Sequence, residues 1–257
     1  MAATHSAHRR LLLTVDMERY SSKDNRSQYE AQSTFRRVLD SVLAEYALTV
    51  PEWDVQRAGD SVLALLRTEI IETATIVGPV AIRLDERLRE HNRDRNDLGR
   101  VRLRMAVHEG AVNLNGRNGF PGDAVNLACR LRDATILKDA LKAYPEAGVA
   151  LIVSPRIYDD VVNPQYCGIR RDRFHSVPVV DTAHDLRTEG WISVIGEDVG
   201  WFLEREASPT APEPEKGTPT PADPMAGFHI GHVENCGSMA VGTNPTAIKN
   251  QGRRATE

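Results

Sequence analysis

Up to about residue 204, short apolar runs of strand character alternate with segments whose apolar residues return at helical spacing. That alternation restricts the chain to helices packed on a sheet. Leu11-Leu12-Leu13-Thr14-Val15 reads as a buried strand. Phe35, Val38, Leu39, Val42 and Leu43 keep the 3.6-residue period and predict an amphipathic helix over 28–46. Runs at 53–57 and 61–66 predict two strands joined by a tight Gly59-Asp60 turn. The stretch 68–92 should be mainly helical, with Val80, Leu84 and Leu88 on one face and Pro79 marking a kink or the start of the main helix. A strand is expected over 101–107 with 110–112 close behind, then a helix over 124–133 and a strand over 149–153. Ser154-Pro155 opens a helix through Val161, and 173–180 with 191–194 form a closing antiparallel pair. The expected class is an α+β sandwich, a mixed sheet covered by helices.

Bulk properties narrow the function. The chain has 257 residues, enough for one domain with a real core and a tail besides. A net charge of −4 gives no case for a nucleic-acid surface. No apolar stretch is long enough to span a bilayer, and the three leucines after Arg9-Arg10 are too short for a signal-peptide core. Cys129, Cys167 and Cys236 are scattered, with neither metal-ligand spacing nor a disulfide framework, which suits a reducing cytoplasm. Composition changes after Glu204. The expected division is a domain over 1–204, an extended Pro/Thr/Ala-rich linker over 205–225, and a tail over 226–257.

Two carboxylates stand beside strand-like runs: Asp16 after the first, and Asp60 in the Gly59-Asp60 turn before Ser61-Val62-Leu63-Ala64-Leu65-Leu66. Carboxylate oxygens suit hard divalent cations, and backbone pairing can fix the separation of two such groups. A third segment, Gly122-Asp123-Ala124-Val125-Asn126-Leu127-Ala128-Cys129-Arg130-Leu131, places Asn126 and Arg130 four residues apart on one helix face. Singly, an Asp after a strand is a cap, Gly-Asp a turn, and an Asn-Arg pair a solvated face. The order and setting of all three carry more than any one.

Together they resemble the class III nucleotidyl cyclase catalytic domain over roughly residues 10–200. Asp16-Met17-Glu18-Arg19-Tyr20-Ser21 fits the first metal motif, although the family often has glycine at the Arg19 position. Gly59-Asp60 fits the second, and Val125-Asn126-Leu127-Ala128-Cys129-Arg130 fits Val-Asn-x-Ala-x-Arg. Leu103 to Gly110, with His108, resembles the strand preceding it. The resemblance implies a ferredoxin-like (βαββαβ) sandwich. It implies two divalent cations, Mg²⁺ or Mn²⁺, held at Asp16, Met17 and Asp60. Asn126 would orient the ribose and Arg130 would stabilise charge on the α-phosphate. It also implies a head-to-tail homodimer with shared sites, cyclising a nucleoside triphosphate.

Where family members read a purine with Lys and Asp, this chain has Gln56 and Gly119. Neither the adenylyl nor the guanylyl pattern is present, which leaves room for a pyrimidine triphosphate, as in the cyclases of some bacterial antiphage systems. The alternative is an inactive cyclase-like scaffold working through its tail. There, Ile230-Gly231, Val233 and Met239-Ala240-Val241-Gly242 resemble short bacterial amyloid-signalling motifs, similar to RHIM motifs. Ile230, Gly231, Val233, Met239 and Val241 are the expected contacts to a sensor protein with a matching motif.

Overall fold

A computed structural model of the chain describes residues 7–48, 53–67, 69–114 and 119–207. Strands β1 (Ala7–Met17), β2 (Asp54–Ala58), β3 (Ser61–Leu66), β4 (Leu103–Asn113), β5 (Val149–Val153), β6 (His175–Asp181) and β7 (Leu186–Val194) form one sheet, in the order β2-β3-β1-β4-β5-β7-β6. Pairing is antiparallel except for β4 with β5, so the sheet is mixed. With α1 (Asn25–Glu45) after β1, and α2 (Ile70–Thr75) and α3 (Ala81–Asn92) after β3, the first four strands make the expected ferredoxin-like βαββαβ core.

Both faces of the central strands are covered, which is why β1 reads as continuous apolar sequence and not as an alternation. Leu11, Leu13, Val15 and Met17 face one layer, with Phe35, Val38, Leu39, Val42 and Leu43 of α1 and Leu84 and Leu88 of α3. Leu12 faces the other way, onto Ala124, Val125 and Ala128 of α4 (Asp123–Asp133). Further along that second face, α5 (Thr135–Ala143) and α7 (Val199–Ala207) cover Ala106, Ala150, Ile152 and Ile192. Each fully buried leucine of this kind contributes about 1.5–3 kcal/mol.

Several elements differ from the sequence expectation. The segment 101–113 is a single strand from Leu103 to Asn113, because Gly110 stays paired, opposite Arg10. Pro79 neither starts nor ends a helix. It lies in a π turn, Ile76–Val80, between α2 and α3, where its missing N–H is accommodated by the widened turn. The helix after Ser154 is short: α6 (Pro155–Ile157) passes into a second π turn over Tyr158–Val162. Helix α5 was not anticipated, although Leu137, Ala140 and Leu141 carry helical spacing. The linker beyond Ala207 and the tail, with Ile230, Gly231, Val233, Met239 and Val241, lie outside the described residues. No helix among the described residues is long and apolar enough to cross a membrane.

Candidate active site

The register of the sheet brings the two carboxylates together. Asp16 on β1 pairs with Ser61 on β3, so Asp60, the residue before Ser61, falls beside the end of β1. The Met17 backbone N–H donates to the Asp60 carbonyl at 3.1 Å and fixes the turn there. The Met17 side chain is in the core, so only its main chain is available to the site. Asp16 is 8% exposed and points to the α4 face, the face opposite its neighbours Val15 and Met17. Across β4 it meets Arg104, whose guanidinium forms an ion pair with the Asp16 carboxylate.

Burial pushes the Asp16 carboxyl above the usual carboxylate range. Arg104 and Arg132 pull it back, and the Asp60 charge raises it further. The effect of Asp60 on Asp16 is that of a neighbouring like charge, the condition a divalent cation relieves. Two carboxylates and the Met17 carbonyl are hard oxygen donors and fit Mg²⁺ or Mn²⁺. Among the described residues no cluster of three or more His, Cys, Asp or Glu side chains could hold a metal. A cation here would therefore draw its remaining ligands from water or a bound phosphate.

Asn126 and Arg130 lie on α4 as expected. Asn126 is exposed, and the Arg130 Nε is 3.6 Å from Asp181 at the end of β6. The same Asp181 oxygen is 2.8 Å from His184 Nδ1, a contact that holds the Asp181 carboxyl below its usual range. Arg132, two positions on, leaves the helix about 200° away from Arg130. It donates to the Thr14 hydroxyl at 3.0 Å on the same strand as Asp16. Within one chain, then, Arg132 serves the carboxylate end of β1 while Arg130 turns elsewhere. Arg104, Arg132 and Asp181 were not singled out in the sequence. Arg104 had a signal, a lone cation interrupting the apolar β4.

Gln56 and Gly119, far apart in sequence, are brought into contact. They line a cleft of about 620 Å³ with Leu63, Phe120, Val125 and Cys129. Gly119 has φ +109°, and a Cβ there would come 2.7 Å from the Gln56 Oε1. The positive φ is what favours glycine here, and any side chain at 119 would also displace the end of the Gln56 amide. Burial raises the Cys129 thiol pKa, so that group is a neutral wall of the cleft.

No protein-family model and no curated protein sequence matches this chain. Solved structures do. The guanylyl cyclase Cya2 superposes with a TM-score of 0.52 at 16% identity, covering 75% of this chain and 95% of that one. An adenylate/guanylate cyclase/hydrolase from Silicibacter pomeroyi gives 0.53 at 20% identity, with 75% and 99% covered. A bacterial light-regulated adenylyl cyclase gives 0.50 at 11%, with 79% and 58% covered. At these identities the likeness is one of fold.

Proposed function

We propose that this chain is a divalent-cation-dependent nucleotidyl cyclase, converting a nucleoside triphosphate to a 3′,5′-cyclic mononucleotide and pyrophosphate, in bacterial signalling or antiphage defence. The observation that carries the reading is the register of β1 against β3, which sets Asp16 beside Asp60 on a fold shared with solved cyclases. Asp16, Asp60 and the Met17 carbonyl would hold two Mg²⁺ or Mn²⁺ ions, which would supply Lewis acidity at the reacting phosphate and hydroxyl. The ribose 3′-oxygen forms a bond to the α-phosphorus as the bond to the β-phosphate oxygen breaks. Pyrophosphate leaves with the electron pair and the hydroxyl proton passes to water. Asn126 orients the ribose. Arg130 stabilises the charge that grows on the α-phosphate, a role suited to a planar guanidinium. Gln56 and Gly119 contact the base. Gln56 can both donate and accept, which is compatible with a pyrimidine edge.

The engagement of Arg130 by Asp181, and not by Asp16 or Asp60 of its own chain, supports a head-to-tail homodimer in which each site takes its metal ligands from one subunit and the Asn126–Arg130 pair from the other. A second reading is a cyclase-like scaffold that recruits a sensor through its tail. The internal pairing of Asp16 with Arg104 and Arg130 with Asp181 favours it, since each charge already has a partner. Mixing Asp60→Asn with Arg130→Ala chains separates the two. Each variant alone should be inactive, and the mixture should regain roughly a quarter of wild-type activity, from one intact site in the half of dimers that are mixed. Inactive mixtures with confirmed heterodimers would contradict shared sites.

A further inference from the structure

Between α3, the turn after β7 and the segment leading into β6 lies a cleft of about 510 Å³. Val77 and Pro79 of the first π turn, Ile82 of α3, Ile169, Phe174 and Ile195 form its apolar walls. Val77, Ile169 and Phe174 belong to the layer on the α1/α3 side of the sheet, whereas Asp16 points to the α4 side. Ile82 is 49% exposed, so the cleft is open to solvent there. Its volume lies within the range of about 300–1,000 Å³ in which proteins hold small organic ligands, between mostly apolar walls with a few convergent polar groups.

Two polar groups on this cleft lack the partners their setting demands. Ser193, on β7, is 3% exposed and lines the cleft. Its neighbours Ile192 and Val194 face α5 and α7, so its side chain turns the other way, into the layer of Leu151, with which it pairs on β5. An apolar side chain would suit that position, yet it holds a hydroxyl that makes no hydrogen bond among the described residues. A buried hydroxyl without a partner costs stability, so packing alone does not account for the serine. The second group is Arg173. The carboxylates around the cleft are already taken: Asp85 and Glu197 by Arg89, Glu86 by Arg83, and Asp172 by Arg170, at 2.5–2.9 Å. Arg173 is left with one bond, from its Nη1 to the Glu197 carbonyl at 3.3 Å, and forms no salt bridge among the described residues. The β6–β7 register sets His175 opposite Ile192, so the chain carries Arg173 past Ser193 at the same end of the cleft.

We propose that this cleft binds a small amphipathic carboxylate, with its apolar body between Pro79, Ile82, Ile169 and Phe174 and its carboxylate accepting from the Arg173 guanidinium and the Ser193 hydroxyl. The apolar walls supply the affinity, and the unanswered cation with the buried donor selects an anionic head. The site lies on the other side of the sheet from the Asp16–Asp60 pair and does not rest on the cyclase reading.

Octanoate would be titrated calorimetrically into the full-length chain, with octan-1-ol as its neutral counterpart. The expected result is one octanoate per chain, with octan-1-ol bound about tenfold more weakly, the worth of one charge-assisted hydrogen bond. Arg173→Gln should weaken octanoate about tenfold and leave octan-1-ol unchanged. Ile82→Glu, which sets a carboxylate at the open wall, should weaken octanoate by about the same factor. Ser193→Ala should weaken it about threefold, yet melt no lower than wild type, because the hydroxyl has no internal bond to lose. A wild-type chain that does not bind octanoate, octan-1-ol bound as tightly as octanoate, or equal octanoate binding in all three variants would overturn the inference. A Ser193→Ala chain that melts several degrees lower would overturn it too, since the hydroxyl would then have a partner within the fold.

Discussion

Gly110 on β4 faces α4 at its closest approach to the sheet, and replacing it with alanine tests how tightly the Asn126–Arg130 helix must be held. A Cβ at position 110 would lie 2.4 Å from the Ala124 Cβ and 3.3 Å from His108 Nε2. Methyl carbons need about 3.5–4 Å, so the helix must move outward by over 1 Å or the strand must bend. Overpacking of this kind costs about 1–3 kcal/mol. In a domain of this size each kcal/mol lowers the melting temperature by about 2–4 °C, which gives a fall of about 2–12 °C for Gly110→Ala. Displacing Asn126 and Arg130 by an ångström should reduce kcat/KM about 100-fold. The partner substitution Ala124→Gly removes the opposing methyl. Alone it costs about 1 kcal/mol of helix propensity. In the double variant it should relieve the clash, so that the two changes together cost about 1–2 kcal/mol less than their sum. Thermal unfolding and steady-state kinetics on the four proteins close the cycle. A Gly110→Ala chain that melts within 1 °C of wild type, or a double variant no better than additive, refutes the packing argument.

Two further expectations concern buried titratable groups. His108 is half-buried, its Nδ1 is buried and unpartnered, and burial depresses its pKa from 6.5 to about 4. Because the folded value lies below the unfolded one, the unfolded chain takes up the proton first. Stability should therefore fall as pH drops from 6.5 to about 4, by at most about 3 kcal/mol, and His108→Gln should flatten that part of the melting-temperature profile. Asp85, 3% exposed, accepts from the Gly148 and Val149 N–H groups at 2.7 and 3.0 Å and pairs with Arg89 at 2.5 Å. Asp85→Ala strands two buried N–H donors and the Arg89 Nε–H, while Arg89 keeps Glu197 and the Ile195 carbonyl, and should cost about 2–5 kcal/mol in urea unfolding, whereas Asp85→Asn, which keeps an acceptor oxygen, should cost less.

Much of the fold could be read in the sequence because its strongest signals are local. The β1 apolar run, the α1 periodicity and the Gly59-Asp60 turn each specify an element from a few adjacent residues, and the structure places all three as expected. What escaped depends on residues distant in sequence. The π turn at Pro79 has no pattern that separates it from a kink. Helix α5 is nine residues long, too short for its spacing to stand out between α4 and β5. At the site, the carboxylates and the Asn126–Arg130 pair could be named from motifs. The charges that answer them, Arg104 on Asp16 and Asp181 on Arg130, come from other strands and are visible only once the register is known. The contact between Gln56 and Gly119 has the same origin: two positions 63 residues apart are joined by the packing of the segment before α4 over β2.

The central claim is that the Asp16–Asp60 pair supports cyclisation. The purified chain would be incubated with Mn²⁺ and equimolar ATP, GTP, CTP and UTP, and the products identified by mass spectrometry beside an Asp60→Asn control. The account predicts a 3′,5′-cyclic mononucleotide from the wild-type chain, with equimolar pyrophosphate, and none from a variant that melts at the same temperature. No cyclic product from a folded wild-type dimer, or equal product from Asp60→Asn, would contradict it.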